Sequence, residues 1–150
     1  MTATAHEPRS PMNGDPLSHT TTDSKARLWT GRILTGIAVI FLLFDSVTKL
    51  MLIKPVVDAM PPLGYPVSLA RPIGVILLVC LVVYLVPLTR VLGAVLITGF
   101  LGGAVATNVR IGNPLFSHDL FPIYIAVILW GGLYLLDARV RAVIPFRHRG

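Results

Sequence analysis

A chain of 150 residues holds one domain at most; this one is 54% hydrophobic and 13% charged, with a mean hydropathy of +0.75. Soluble domains carry about 25% charged residues, so the polar surface is too small to cover a water-soluble globule, and long apolar runs point to the membrane class. The net charge of +6 does not indicate nucleic acid, because the basic residues flank apolar runs and form no stripe with interleaved aromatics.

Residues 1–27 are polar, rich in Thr, Ser and Pro, and of mixed charge. No apolar run follows the first methionine closely, which argues against an ordinary secretory signal peptide. The composition predicts a disordered, cytoplasmic tail.

Four apolar segments follow, at about 28–53, 66–86, 89–109 and 120–136. A spanning helix needs about 17–25 residues, and lipid leaves no backbone group free of a partner, so each segment is expected to be helical. Prolines mark the boundaries: Pro55, Pro61, Pro62 and Pro66 separate the first two spans, and Pro87 closes the second. Pro122 falls in the first turn of the fourth helix, where its missing N–H is harmless. Pro72 lies inside the second segment and predicts a kink or a local helix start. Cys80, the single cysteine, forms no internal disulfide, redox pair or zinc site and reads as a packing residue.

Arg9, Lys25, Arg27, Arg32, Arg90 and four arginines of the basic 139–150 tail fall on one side of these spans; Lys54, Arg71 and Arg110 fall on the other. This bias predicts that both termini are cytoplasmic. The expected fold is all-α, an integral membrane four-helix bundle over residues 28–138.

The first span contains FLLFDSVTKLMLI (41–53). Asp45 lies about 18 Å beyond Ile33 at 1.5 Å per residue, hence in the outer half of the bilayer. Lys49 is one turn further on, on the same face and near enough to the interface to snorkel. An intramembrane carboxylate is costly and marks a functional site or a structural ion pair. The third span reaches the same side at Asn108 and Arg110. The loop RIGNPLFSHDLFP and the start of the fourth helix bring His118, Asp119 and Tyr124 there too. Asp45, Lys49, Asn108, Arg110, His118 and Tyr124 are therefore candidates for one polar or ligand site, with Asp119 a candidate helix cap. In the third span, Gly99, Gly102, Gly103 and Ala106 form small-residue ridges, including a GxxxG, that predict a tightly packed central helix. Gly131 and Gly132 are a candidate counterpart on the fourth. No HExxH, GxSxG or Walker loop is present, and no span carries a histidine for haem, so neither a catalytic residue nor a metal site is expected.

From about Gly31 to Arg141 the chain resembles the DoxX-like family of small bacterial membrane proteins. The resemblance rests on LLFDSVTKLM, on LGYP, and on GGAVATNVRIGNPLFSHDLFPIYIAVILWGGLYLLD. It implies a four-helix protein of the bacterial cytoplasmic membrane with both ends inside. Asn108 stands where relatives often carry histidine, so a role resting on that histidine does not transfer. The resemblance further implies an accessory subunit of a quinone-linked redox system, with quinone as ligand and redox subunits as partners. Asp45 alternatively suits a small-molecule or proton-coupled carrier, for which four helices leave little room without homo-oligomers. An enzyme acting on a lipid-soluble substrate at the outer mouth is the least supported reading.

Overall fold

The computed structural model describes residues 17–112 and 120–143, with side chains for 25–112 and 120–142. The described residues are helical, with no strand among them. Helix α1 spans Leu17–Met51, α2 Lys54–Ala59, α3 Ala70–Leu85, α4 Arg90–Arg110, α5 Phe121–Leu136 and α6 Ala138–Val143, and one 3₁₀ turn, Val67–Leu69, leads into α3. Lys25–Met51, Val67–Leu85 and Arg90–Arg110 are long and apolar enough to cross a membrane. The fourth expected span, α5, has 16 residues, about 24 Å of helix; it falls short because Asp137 turns the chain. There the Asp137 carboxylate accepts from the Arg139 amide at 2.8 Å and starts α6.

Two sequence expectations meet the start of these helices. Of the tail expected over residues 1–27, residues 1–16 lie outside the described residues, and α1 begins at Leu17. Composition measures each residue alone, whereas a turn added to an existing helix bears no nucleation cost. Pro72 marks a local helix start, one of the two outcomes expected of it. It is the third residue of α3, within the first turn, where the backbone N–H has no intrahelical partner to lose.

The four long helices run up, down, up and down. α1 packs on α3 and α5, α4 packs on α3 and α5, and α1 faces α4 across the diagonal. Leu42, Leu77, Leu81, Ile97, Leu129 and Leu133 fill the centre and are almost fully buried. Leucine and valine side chains such as Val79, Val82, Val95 and Val127 face outward and are more than half exposed, as a lipid-facing surface requires. A β-carbon at Gly31 would meet Leu136 Cγ at 2.8 Å, so the start of the first span adjoins the end of α5. The start of the first span and the end of α5 therefore share one end of the bundle, called terminal below; the opposite end is called distal.

Glycine sets the close approaches, but at other positions than the GxxxG predicts. A β-carbon at Gly93 would stand 2.3 Å from the backbone of Tyr84, and one at Gly132 would stand 2.6 Å from Thr35 Oγ1. At Gly74 it would lie 2.9 Å from Lys49 Cβ. By contrast, β-carbons at Gly99, Gly102 and Gly103 would meet nothing within 4 Å, and Ala106 is exposed. Among the described residues those small residues do not pack α4 against another helix. Spacing identifies a small-residue face but not what lies opposite it. Gly132 is a contact of α1 rather than a counterpart of α4.

Candidate functional site

α1 ends at Met51, and Leu52 after it adopts a left-handed conformation with φ of 50°. The chain then runs as a strap, residues 52–66, across the distal end. Pro55 sits at the start of α2, and Gly64, at φ 78°, turns the strap back toward α4. This local geometry carries Met60, Leu63 and Tyr65 inward. Met60 is 4% exposed. The Arg110 guanidinium donates from Nη2 to the Leu63 carbonyl at 3.0 Å. Tyr65 Oη lies 3.1 Å from Thr107 Oγ1. Since the Thr107 hydroxyl donates its only proton to the Gly103 carbonyl at 2.9 Å, Tyr65 is the donor of this pair.

Beneath the strap is a cavity of about 560 Å³, within the range of small-molecule sites. Phe41, Leu42, Asp45 and Lys49 of α1 form one wall, and Ile73 and Ile76 of α3 a second. The α4 wall runs from Gly99 to Asn108, and Phe121, Pro122 and Ile125 of α5 complete it. Phe41 and Phe121 meet edge to face with centroids 5.0 Å apart, which joins α1 to α5 at the cavity. A smaller hollow of about 320 Å³ lies between α1 and α2 and shares Asp45, Lys49, Met60 and Leu63 with the first.

Asp45 and Lys49 are ion-paired, with Nζ donating to Oδ1. Their side chains are 32% and 17% exposed, respectively. The Lys49 ammonium turns back toward the carboxylate, and its side chain lines the cavity. The reason is the neighbouring crossing. Ser46 is fully buried and donates to the Gly74 carbonyl at 2.8 Å, holding α1 so close to α3 that the Lys49 stem lies against Gly74. A paired charge in a poorly hydrated site is tolerated where a lone one is not. The ammonium retains further donors and the carboxylate further lone pairs, so the pair presents a donor and an acceptor side by side.

Of the expected cluster, Asp45, Lys49 and Asn108 line the cavity. The Asn108 amide donates to the Ala104 carbonyl at 2.9 Å. Arg110 stands outside it and anchors the strap. Tyr124 does not join: it is 51% exposed, because Phe121, Pro122 and Ile125 define the cavity face of α5 and Tyr124 lies about 100° from their centre at 3.6 residues per turn. His118 and Asp119 lie outside the described residues. Tyr65, Met60 and the aromatic pair were not singled out from sequence. The signal for Tyr65 was LGYP, where glycine before an aromatic residue allows the chain to fold back. Among the described residues no three His, Cys, Asp or Glu side chains gather as for a metal ion.

The arrangement is an apolar chamber in a multi-pass membrane protein, with an ion pair on one wall and a tyrosine–threonine pair opposite. No curated protein and no solved structure matches the chain. A profile of the DoxX-like family matches residues 33–132, which cover both the ion pair and the Gly99–Asn108 wall. The chain belongs to the DoxX-like family.

Proposed function

We propose that the protein binds a small lipid-soluble molecule of quinone type in the distal cavity and serves a membrane redox system as an accessory subunit. The observation that carries this reading is the Asp45–Lys49 pair on the wall of a largely apolar cavity of about 560 Å³. A quinone carbonyl accepts from an ammonium, and a quinol hydroxyl donates to a carboxylate. One Asp–Lys pair therefore serves both oxidation states, while Phe41, Phe100 and Phe121 offer ring surfaces. Family membership supports the redox setting but does not transfer a reaction.

The basic-residue bias supports a site on the non-cytoplasmic side of a bacterial cytoplasmic membrane. A C-terminal fusion is expected to report the cytoplasm, and a periplasmic signal would reverse the orientation. Binding is tested by titrating a short-chain ubiquinone analogue into protein held in lipid nanodiscs. Saturable binding that weakens at least tenfold in Asp45→Asn/Lys49→Met supports the reading; absence of saturable binding overturns it. Gentle purification should also retain dehydrogenase or oxidase subunits, and a preparation free of both removes the accessory role.

A small-molecule carrier remains as a second reading because two hollows meet at Asp45, Lys49, Met60 and Leu63. Its proton-coupled form is the less supported, since Lys49 already compensates the Asp45 charge. Flux that is unchanged in Asp45→Asn would end that form.

A further inference from the structure

The cavity has two boundaries of opposite character. On the distal side the strap lies over it, with Met60 buried and two tethers to the end of α4, Arg110 to Leu63 and Tyr65 to Thr107. Between α3 and α4 no described residue forms such a cover. These helices are pressed together at the terminal end, where Gly93 abuts the Tyr84 backbone, but at Gly99 and Gly103 an added β-carbon would meet nothing within 4 Å. Both glycines line the cavity and both are exposed. Ile76, across from them on α3, lines the cavity and is 54% exposed. Exposed residues of both helices, Ile76 on α3 and Gly99 and Gly103 on α4, thus line the one cavity, which opens between them as a fissure in a lipid-facing wall.

The geometry points to a lateral portal: molecules dissolved in the bilayer reach Asp45 through the α3–α4 fissure, over a sill of Gly99 and Gly103, rather than from water past the strap. The exposed glycines of α4 then have a use that helix packing does not give them. Side chains of ordinary size at either position would stand in the opening. The inference deepens the binding reading above, since it restricts the ligand to one that partitions into lipid, with a polar end that meets the ion pair last. It also explains why the ion pair lies on the α1 wall, across the cavity from the sill.

The route is testable without the ligand. Protein reconstituted in phosphatidylcholine–phosphatidylglycerol vesicles is treated with a lipid-soluble carbodiimide, dicyclohexylcarbodiimide, or with a water-soluble one. Activated Asp45 is captured by Lys49 as an amide with loss of one water, or is retained as an N-acylurea; peptide mass spectrometry reads either. Asp58, exposed on α2 and 60% accessible at its side chain, reports that the water-soluble reagent is active. The expected result is modification of Asp45 by the lipid-soluble reagent and at least tenfold less by the water-soluble one. Gly99→Leu/Gly103→Leu should slow the lipid-soluble reaction at least tenfold. Gly102→Leu, equally free of neighbours but outside the cavity lining, should react like the parent. Equal modification of Asp45 by the water-soluble reagent, or an unchanged rate in the double glycine variant, overturns the portal. If Asp45 is reached through the fissure but the quinone analogue does not bind, the ligand reading fails and the portal stands.

Discussion

Gly93 of α4 lies against the Tyr84 backbone of α3 so closely that an added β-carbon would stand 2.3 Å from both the amide nitrogen and the Cα. Neither atom can move without shifting the helix. This contact, near the Pro87–Thr89 turn, fixes the approach of α3 to α4 at the terminal end. Thr89 secures the turn, its hydroxyl donating to the Val83 carbonyl at 2.8 Å. In a bilayer, close backbone approach at small residues is a main source of helix association.

Gly93→Ala should therefore destabilise the bundle by about 1–3 kcal/mol or more, the range for overpacking a tight contact. Gly102→Ala, on the same helix with open space around it, should change stability by no more than about 0.5 kcal/mol. Reversible unfolding in mixed detergent–lipid micelles measures both. Equal losses at the two sites would show that the α3–α4 approach is not the constraint described.

Tyr84 gives the opposite expectation at the same crossing. Its side chain is 1% exposed, and its hydroxyl lies beside Thr35 and Arg90. Yet it makes no hydrogen bond of good geometry, nor does Thr35 Oγ1. A buried hydroxyl without a well-formed bond contributes little, and its removal costs less than loss of a satisfied one. Tyr84→Phe should be neutral or stabilising, up to about 1 kcal/mol, in the same unfolding assay. A loss beyond about 1.5 kcal/mol would mean that the hydroxyl is fully satisfied in the membrane.

The helices were legible in the sequence because lipid allows so few alternatives. A run of twenty apolar residues bounded by proline specifies its own conformation, and the i, i+4 spacing of Asp45 and Lys49 already places them on one face. What spacing does not encode is the neighbour. Gly99 and Gly103 read as packing residues until the structure shows them exposed with open space beside them. Gly93 and Gly74, which do pack, belong to no recognisable motif. Tyr65 was hidden for another reason: it reaches the cavity only because Gly64 turns the strap, and a turn's direction depends on where its ends are held. Tyr124 was misplaced because sharing a bundle end is weaker than sharing a helix face.

The ion pair should behave as one unit. Breaking a buried pair from one side typically costs about 3–5 kcal/mol; these side chains are partly exposed, so Asp45→Asn alone, which leaves Lys49 uncompensated, should cost about 1–3 kcal/mol. Asp45→Asn/Lys49→Met should recover most of that loss. A double-mutant cycle measured by unfolding gives the coupling directly. Additive losses would mean that the two charges are solvated separately and that the pairing does not hold in the bilayer.

The strap can be loosened without disturbing the bundle. Gly64 has φ of 78°, a region that costs a residue with a β-carbon about 1–2 kcal/mol. That β-carbon would also lie 2.9 Å from Arg110 Nη2, the nitrogen that holds the Leu63 carbonyl. Gly64→Ala should thus release one tether, and Tyr65→Phe the other by removing the donor to Thr107. Amide hydrogen exchange across residues 53–65 should accelerate in each variant and further in the double variant, since local opening follows the stability of its own contacts. Exchange in the α1 and α3 cores should stay near that of the parent, because Ser46–Gly74 and the leucine core are untouched. If the strap exchanges no faster in the double variant, Arg110 and Tyr65 do not hold it; if the cores accelerate equally, the strap is part of the bundle's cooperative unit rather than a cover laid upon it.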